Sequence, residues 1–371
     1  MSDITGDIAY NAVKPGDFKS MIQVDRYAAR TPHFDKIISA THDHFWDPLD
    51  SKYIDYSQPF DLENDYLVDP AQSMDALIAD MAGLDEKRRI KLANLGTLWS
   101  LSSILHGEQG ALSLSASLVD ILLDPGAQEY AANQTREEAR HVLGFSRYIE
   151  TRWGQPCPCG PSLQGLLEEI IAAPEVYKKI VGMQMLVEGL AMGAFAATYT
   201  YGRDPLLVQL MQLVMTDEAF HHKFGKIWAD KTIPHVSEAD RNTIEDWALH
   251  CFQSLLYNLG SPEQRKWIYE QVDMDWEWAQ NAFLEGMTDE RIREDMQDRT
   301  NIFRVLIKTL LKAGIITERT APQYAAFVDM GELHDEGDRM IGDDIAEQGI
   351  KYLIEINGGV LNKANSVLAA E

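Results

Sequence analysis

Two stretches of this chain set a glutamate and a histidine three residues apart, Glu138-Ala-Arg-His141 and Glu218-Ala-Phe-His221. On a helix that spacing stacks carboxylate and imidazole on one face, one turn apart, within reach of a single ion. In a chain of 371 residues with 10 histidines, one such pair is expected by accident. Two further carboxylates change the odds. Glu108 and Glu188 each precede the glutamate of a pair by 30 residues, and Glu108, Glu138 and His141 map onto Glu188, Glu218 and His221 by a constant shift of 80. Four carboxylates and two imidazoles form a donor set for two divalent ions, and mixed oxygen and imidazole ligation suits iron or manganese.

The elements that must position these groups are long helices. Residue 123, midway between 108 and 138, abuts the turn signal Asp124-Pro125-Gly126, and residue 203 lies inside Tyr201-Gly-Arg-Asp-Pro205. In antiparallel helical hairpins, residues equidistant from the turn share a level, here about 22 Å from it. Few breakers interrupt roughly 87–123, 127–153, 174–200 and 205–230, with a shorter helix near 162–172. Two such hairpins pack into an all-α four-helix bundle with the six groups inside. Buried carboxylates without a cation would be costly, whereas two divalent ions neutralise them.

Outside the bundle at 86–231, residues 1–85 are rich in Asp, Pro and aromatics and hold no sustained helical period after about residue 45. They read as an extended arm whose Phe45, Trp46, Tyr53, Tyr56 and Phe60 wrap a helical surface. Residues 232–371 read as helices packed on the bundle, the first capped by Ser237.

The formal charge of −25 and the lack of a basic run with interleaved aromatics exclude a phosphate-backbone partner. No stretch reaches about 18 uninterrupted apolar residues, so no membrane span is expected. Three cysteines, Cys157, Cys159 and Cys251, cannot make a disulfide framework, and no basic-then-apolar leader opens the chain; both features fit a reducing cytoplasm.

The segment 87–231 resembles the ferritin-like di-iron oxygenases, which include multicomponent monooxygenase hydroxylases and ribonucleotide reductase small subunits. Glu137-Glu138-Ala-Arg140-His141 resembles the monooxygenase motif Asp-Glu-x-Arg-His, with Glu137 in the place of Asp. Asp217-Glu218-Ala-Phe-His221 is similar to the reductase motif Asp-Glu-Ala-x-His. The resemblance implies a ferritin-like bundle holding two iron ions, with a manganese and iron pair as a variant. It also implies that Glu137 and Asp217, with Arg140 in the motif, sit behind the ligands and orient the histidines. Further implied are dioxygen activation to hydroxylate, epoxidise or N-oxygenate a small organic substrate, an external electron donor such as a ferredoxin or flavin reductase, and a homodimer. Phe145 stands where radical-type reductases carry tyrosine, and Met192 where the hydroxylases carry threonine, so the chain reads as a relative outside both. A storage or ligand-binding protein and a reductase-like oxidase are the rival readings.

Several lesser features admit both a functional and a plain reading. Gly189, Ala191, Gly193, Ala194, Ala196 and Ala197 leave room for a substrate or for close helix packing. Met185, Met192, Phe195, Phe145 and Leu112 line a pocket or, more commonly, form core. His106 and His222 lie off the ligand faces, His42 and His44 suit a solvated or capped loop, Cys157 and Cys159 a reduced one, and Tyr148 and Trp228 core packing.

Overall fold

The two turns expected near residues 123 and 203 are built alike. Asp124 and Asp204 each cap the helix that follows, their side chains accepting from the Gly126 amide at 2.7 Å and the Leu206 amide at 3.0 Å. Each is followed by a proline at the first helical position, where the missing amide hydrogen costs nothing. The 80-residue correspondence of the Glu and His residues therefore extends to Asp124-Pro125 and Asp204-Pro205.

The computed structural model describes residues 11–42, 44–73, 75–288, 301–337, 339 and 341–358. Of the expected arm and C-terminal region, residues 1–10, 43, 74, 289–300, 338, 340 and 359–371 lie outside these. The protein is all-α: among the described residues the only extended pairings are two isolated bridges. Its longest helices are α1 (Glu86–Ile121), α2 (Pro125–Trp153), α3 (Pro161–Ala172), α4 (Val176–Tyr201), α5 (Pro205–Thr232) and α6 (Glu238–Gly260), followed by α7 (Ile302–Lys312) and α8 (Ile341–Ile356). Asp85 caps α1 by accepting from the Arg88 amide at 3.1 Å, Ser237 caps α6, and Gly154, at φ 85°, ends α2 in a conformation that disfavours other residues. Within α4, Ile180–Val187 is wound as a π-helix that delivers the chain to Glu188.

The arm is pinned at both hairpin turns. Ala12 bridges to Leu122 beside the first and Val68 to Gly202 beside the second. Near the second turn the Leu67 amide donates to Asn94 on α1 at 3.0 Å while the Leu67 carbonyl accepts from the Arg203 amide at 2.8 Å. The start of α1 thus lies beside the end of α4, the two helices run antiparallel, and the arm spans the distance between opposite ends of the bundle. Its aromatics divide: Trp46 and Tyr53 are buried, Tyr56 and Phe60 half-buried, and Phe45 is 40% exposed. The arm also holds a short helix, Asp75–Met81, where no helical period was expected.

Buried apolar side chains form two clusters. One gathers Phe220, Phe224 and Trp228 with Leu306 and Leu310 of α7; the other gathers Phe145, Phe195, Leu210 and Val214 with Trp46 of the arm. By length and composition α4 is apolar enough to cross a membrane, but 78% of that apolar window is buried inside the protein. It is a core helix, and α7 packs so closely on it that a Cβ on Gly193 would lie 3.0 Å from the Ile302 Cα. Gly193→Ala is therefore expected to push α7 away and to destabilise the protein by about 1–3 kcal/mol, measured by denaturant unfolding.

Candidate metal centre

Six side chains from four helices meet between the hairpins: Glu108 on α1, Glu138 and His141 on α2, Glu188 on α4, and Glu218 and His221 on α5. Each is at most 5% exposed. They form two groups able to hold an ion, Glu108, Glu138, His141 and Glu218 in one, and Glu138, Glu188 and His221 in the other.

The distances give each residue a place. His141 turns Nδ1 inward, 3.2 Å from Glu108, 3.4 Å from Glu138 and 3.1 Å from Glu218. His221 does the same, 3.0 Å from Glu138 and 3.2 Å from Glu218. Glu138 and Glu218 each offer one oxygen to one imidazole and the other oxygen to the second, the posture of bridging carboxylates. Glu108 and Glu188 lie at the two outer positions. The Gln134 amide donates to Glu138 at 3.1 Å and to Glu188 at 2.9 Å, and it is held in turn by Gln184 of the π-helical segment at 3.0 Å. Even so, Glu138 Oε2 and Glu188 Oε2 are buried without a hydrogen-bond partner, so the donor set fits cations better than it satisfies itself.

Behind the imidazoles the hairpins exchange acids. His141 Nε2 is 2.9 Å from Asp217 on α5, and His221 Nε2 is 2.9 Å from Glu137 on α2. An outward Nε2–H donated to a carboxylate fixes the tautomer that leaves Nδ1 free for a metal. Asp217 also accepts from Arg140 Nε at 2.9 Å, with a second guanidinium nitrogen on its other oxygen, and from the Trp46 indole at 2.9 Å.

Sequence reasoning missed three kinds of contributor. His44 was expected in a solvated or capped loop; instead it is fully buried, stacked on Phe220 at 4.8 Å, with Nε2 3.2 Å from Asp217 and 3.6 Å from Glu137. Those contacts are ion-pair range only, since neither ring nitrogen is aimed well enough to hydrogen-bond. Trp46, expected merely to wrap, stacks 6.2 Å from His141 as well as bonding Asp217. No sustained helical period runs through His44 and Trp46 to mark them; Gln134 and Gln184 were legible only as polar residues on apolar faces. The other residues singled out fall outside the centre. His106 bonds the Cys157 carbonyl at 2.9 Å, and His222 meets Thr309 at 3.0 Å, its pKa pushed down to about 4 by burial and then by Lys223 and Lys226. His42 is exposed, Cys157 and Cys159 make no disulfide, and Tyr148 is buried on Asp204 at 2.8 Å.

Protons balance the centre when no metal is bound. Burial holds Glu108 and Glu188 well above the usual carboxylate range, against the pull of His141 on Glu108 and with the added repulsion of Glu138 and Glu218 on Glu188. Burial opposes charge on His141 and His221 too, but the surrounding carboxylates outweigh it and raise both well above the ordinary imidazole value. For Glu138 burial is outweighed by His221 and His141, which hold it below its normal range. Two divalent ions would replace up to four protons, on Glu108, Glu188, His141 and His221, with no change of net charge. All four groups have raised folded-state values, so the metal-free fold loses stability as pH rises through them. Metal uptake should run the other way, each displaced proton favouring it by about tenfold, ~1.4 kcal/mol, per pH unit. The expected result is proton release on titration with metal, and a melting-temperature gain from metal that is larger at pH 8 than at pH 6.

Beside the cluster lies a cavity of about 270 Å³, bounded by Glu108, Glu188 and Glu218 at one end. It runs as a slot between α1 and α4, and Ala191, Ala194 and Ala197 line it. The small residues of α4 therefore serve both readings, with alanines facing the slot while Gly189 and Gly193 meet α7. Met185, Met192, Phe195 and Phe145 are core and do not line the slot, nor does Leu112.

The geometry defines an all-helical protein with buried carboxylate and histidine clusters able to hold metal ions. Searched against models of known protein families the chain matches none, and no curated protein matches it.

Proposed function

We propose that this protein is a non-haem di-iron oxygenase that inserts oxygen from O2 into a small organic substrate. The observation that carries the reading is the slot ending on Glu108, Glu188 and Glu218, because a centre built only to handle iron has no use for an organic-sized cavity against its ligands. His141, Glu108 and the bridging pair Glu138 and Glu218 would hold one ion; His221 and Glu188 with the same pair would hold the other, in a ferritin-like four-helix bundle. Bound iron would supply the redox chemistry that dioxygen activation needs, with an external ferredoxin or flavin reductase as the electron source.

The chain's own residues have separable tasks. Asp217 and Glu137 orient the imidazoles, Arg140 and Trp46 fix Asp217, and Gln134 restrains Glu188. The apolar slot excludes water around the reacting carbon. The test is anaerobic loading with ferrous iron followed by dioxygen. A fixed complement of about two ferric ions per chain that no longer grows supports the oxygenase; continued accumulation of ferric iron would favour an iron store and overturn it.

A further inference from the structure

The slot has a second end. Gly96 lies twelve residues before Glu108 on α1, about 18 Å away along the helix, and Thr198 lies ten residues after Glu188 on α4, about 15 Å away. Both line the cavity, so its 270 Å³ is drawn out over that length and is about one hydrocarbon chain wide. At ~30 Å³ for a water-sized group, it holds about nine or ten non-hydrogen atoms.

At the far end the wall is Arg265, paired through one guanidinium nitrogen with Asp75. Only glycine at 96 admits this pair, since a Cβ there would lie 2.7 Å from the Asp75 carboxylate and 2.9 Å from the guanidinium. The Tyr269 hydroxyl donates to the other Asp75 oxygen at 3.4 Å, and Arg265 packs between the Trp99 and Tyr269 rings, each 5.6 Å away. Arg265 is 8% exposed, yet its Nε–H is buried without a partner. Arg265 lines the slot with only one of its guanidinium nitrogens hydrogen-bonded to Asp75, so the guanidinium keeps donor capacity for a ligand oxygen in the slot. That oxygen should be uncharged. Asp75 already matches the charge of Arg265, and a ligand carboxylate would set a second anion beside Asp75 with no second cation. Asp69, also on the slot, is already paired with Arg203 at 3.0 Å and offers only further negative charge.

We propose that the slot binds an unbranched, uncharged amphiphile of about nine or ten non-hydrogen atoms. Its hydroxyl or carboxamide oxygen accepts from the Arg265 guanidinium, and its far carbon lies beside Glu108 and Glu188. This rests on the oxygenase reading for its chemistry, and it then makes the terminal carbon the reacting one, but the binding itself does not depend on metal.

Calorimetric titration of the purified protein with straight-chain alcohols, octanamide and octanoate tests it, with metal content measured on the same samples. Affinity should rise about fourfold per methylene from 1-butanol to 1-octanol and stop rising by 1-dodecanol. Octanoate should bind about tenfold more weakly than octanamide. Arg265→Lys, which keeps a cation opposite Asp75 but removes the remaining guanidinium donors, should weaken 1-octanol about tenfold, and Ala194→Leu should abolish its binding without loss of metal. Octanoate binding tighter than octanamide, or 1-octanol binding that ignores both substitutions, overturns the proposal while the metal centre stands. Alcohol binding that follows this pattern in a protein unable to hold two ions upholds the slot and sinks the oxygenase.

Discussion

Glu138→Ala is expected to reduce bound metal from about two ions per chain to fewer than one, whereas Glu108→Ala keeps about one. The difference follows from where the oxygens point. Glu138 sends Oε1 toward His221 at 3.0 Å and Oε2 toward His141 at 3.4 Å, so its loss opens both positions together. Glu108 faces His141 alone, at 3.2 Å. Elemental analysis of both variants after identical loading reads the contrast, with thermal unfolding as a control. Equal metal loss in the two would show that Glu138 does not bridge.

That contrast was only half legible in the sequence. The spacings of 30 and 80 residues place six groups at one level, because helical rise is uniform and the turns fall at the midpoints. Spacing does not say which carboxylate bridges; that depends on side-chain rotation. Glu137 and Asp217 were expected behind the histidines from motif likeness, and each lies across the interface on the opposite hairpin's imidazole. His44 and Trp46 were not legible as part of the centre. They reach it from an irregular arm whose path is set by pairings at Leu122 and Gly202, remote from either residue. The slot was legible in its alanines but not in its far wall. Arg265, Asp75 and Gly96 come from three separate elements, and no local pattern joins them. Met192 and Phe195 share the helix face of Glu188, which points into the bundle, while the slot residues Ala191, Ala194 and Thr198 lie about a quarter turn round α4.

Asp217→Ala is expected to destabilise the metal-free protein by about 3–5 kcal/mol, the largest stability effect of any single change considered for the centre. Asp217 is fully buried and answers four groups at once: the Arg140 guanidinium, the Trp46 indole, His141 Nε2 and, at 3.2 Å, His44. Burial resists its ionisation, but Arg140 and the histidines hold its pKa well below the ordinary value. A depressed carboxylate contributes stability that is present above its unfolded pKa and lost as pH falls through the folded one, so the penalty should be nearly full at neutral pH. Alanine removes the anion and leaves Arg140, which is only 7% exposed, with the more distant Glu137 at 3.7 Å in place of its closest partner. Adding Arg140→Met should therefore recover part of the loss, because an apolar residue of similar size replaces a buried cation that has lost its hydrogen-bonded partner. Denaturant unfolding of the two single variants and the double variant reads the coupling. If the losses simply add, Arg140 does not hold Asp217, and the placement of Asp217 behind His141 rests on Trp46 and the imidazole alone.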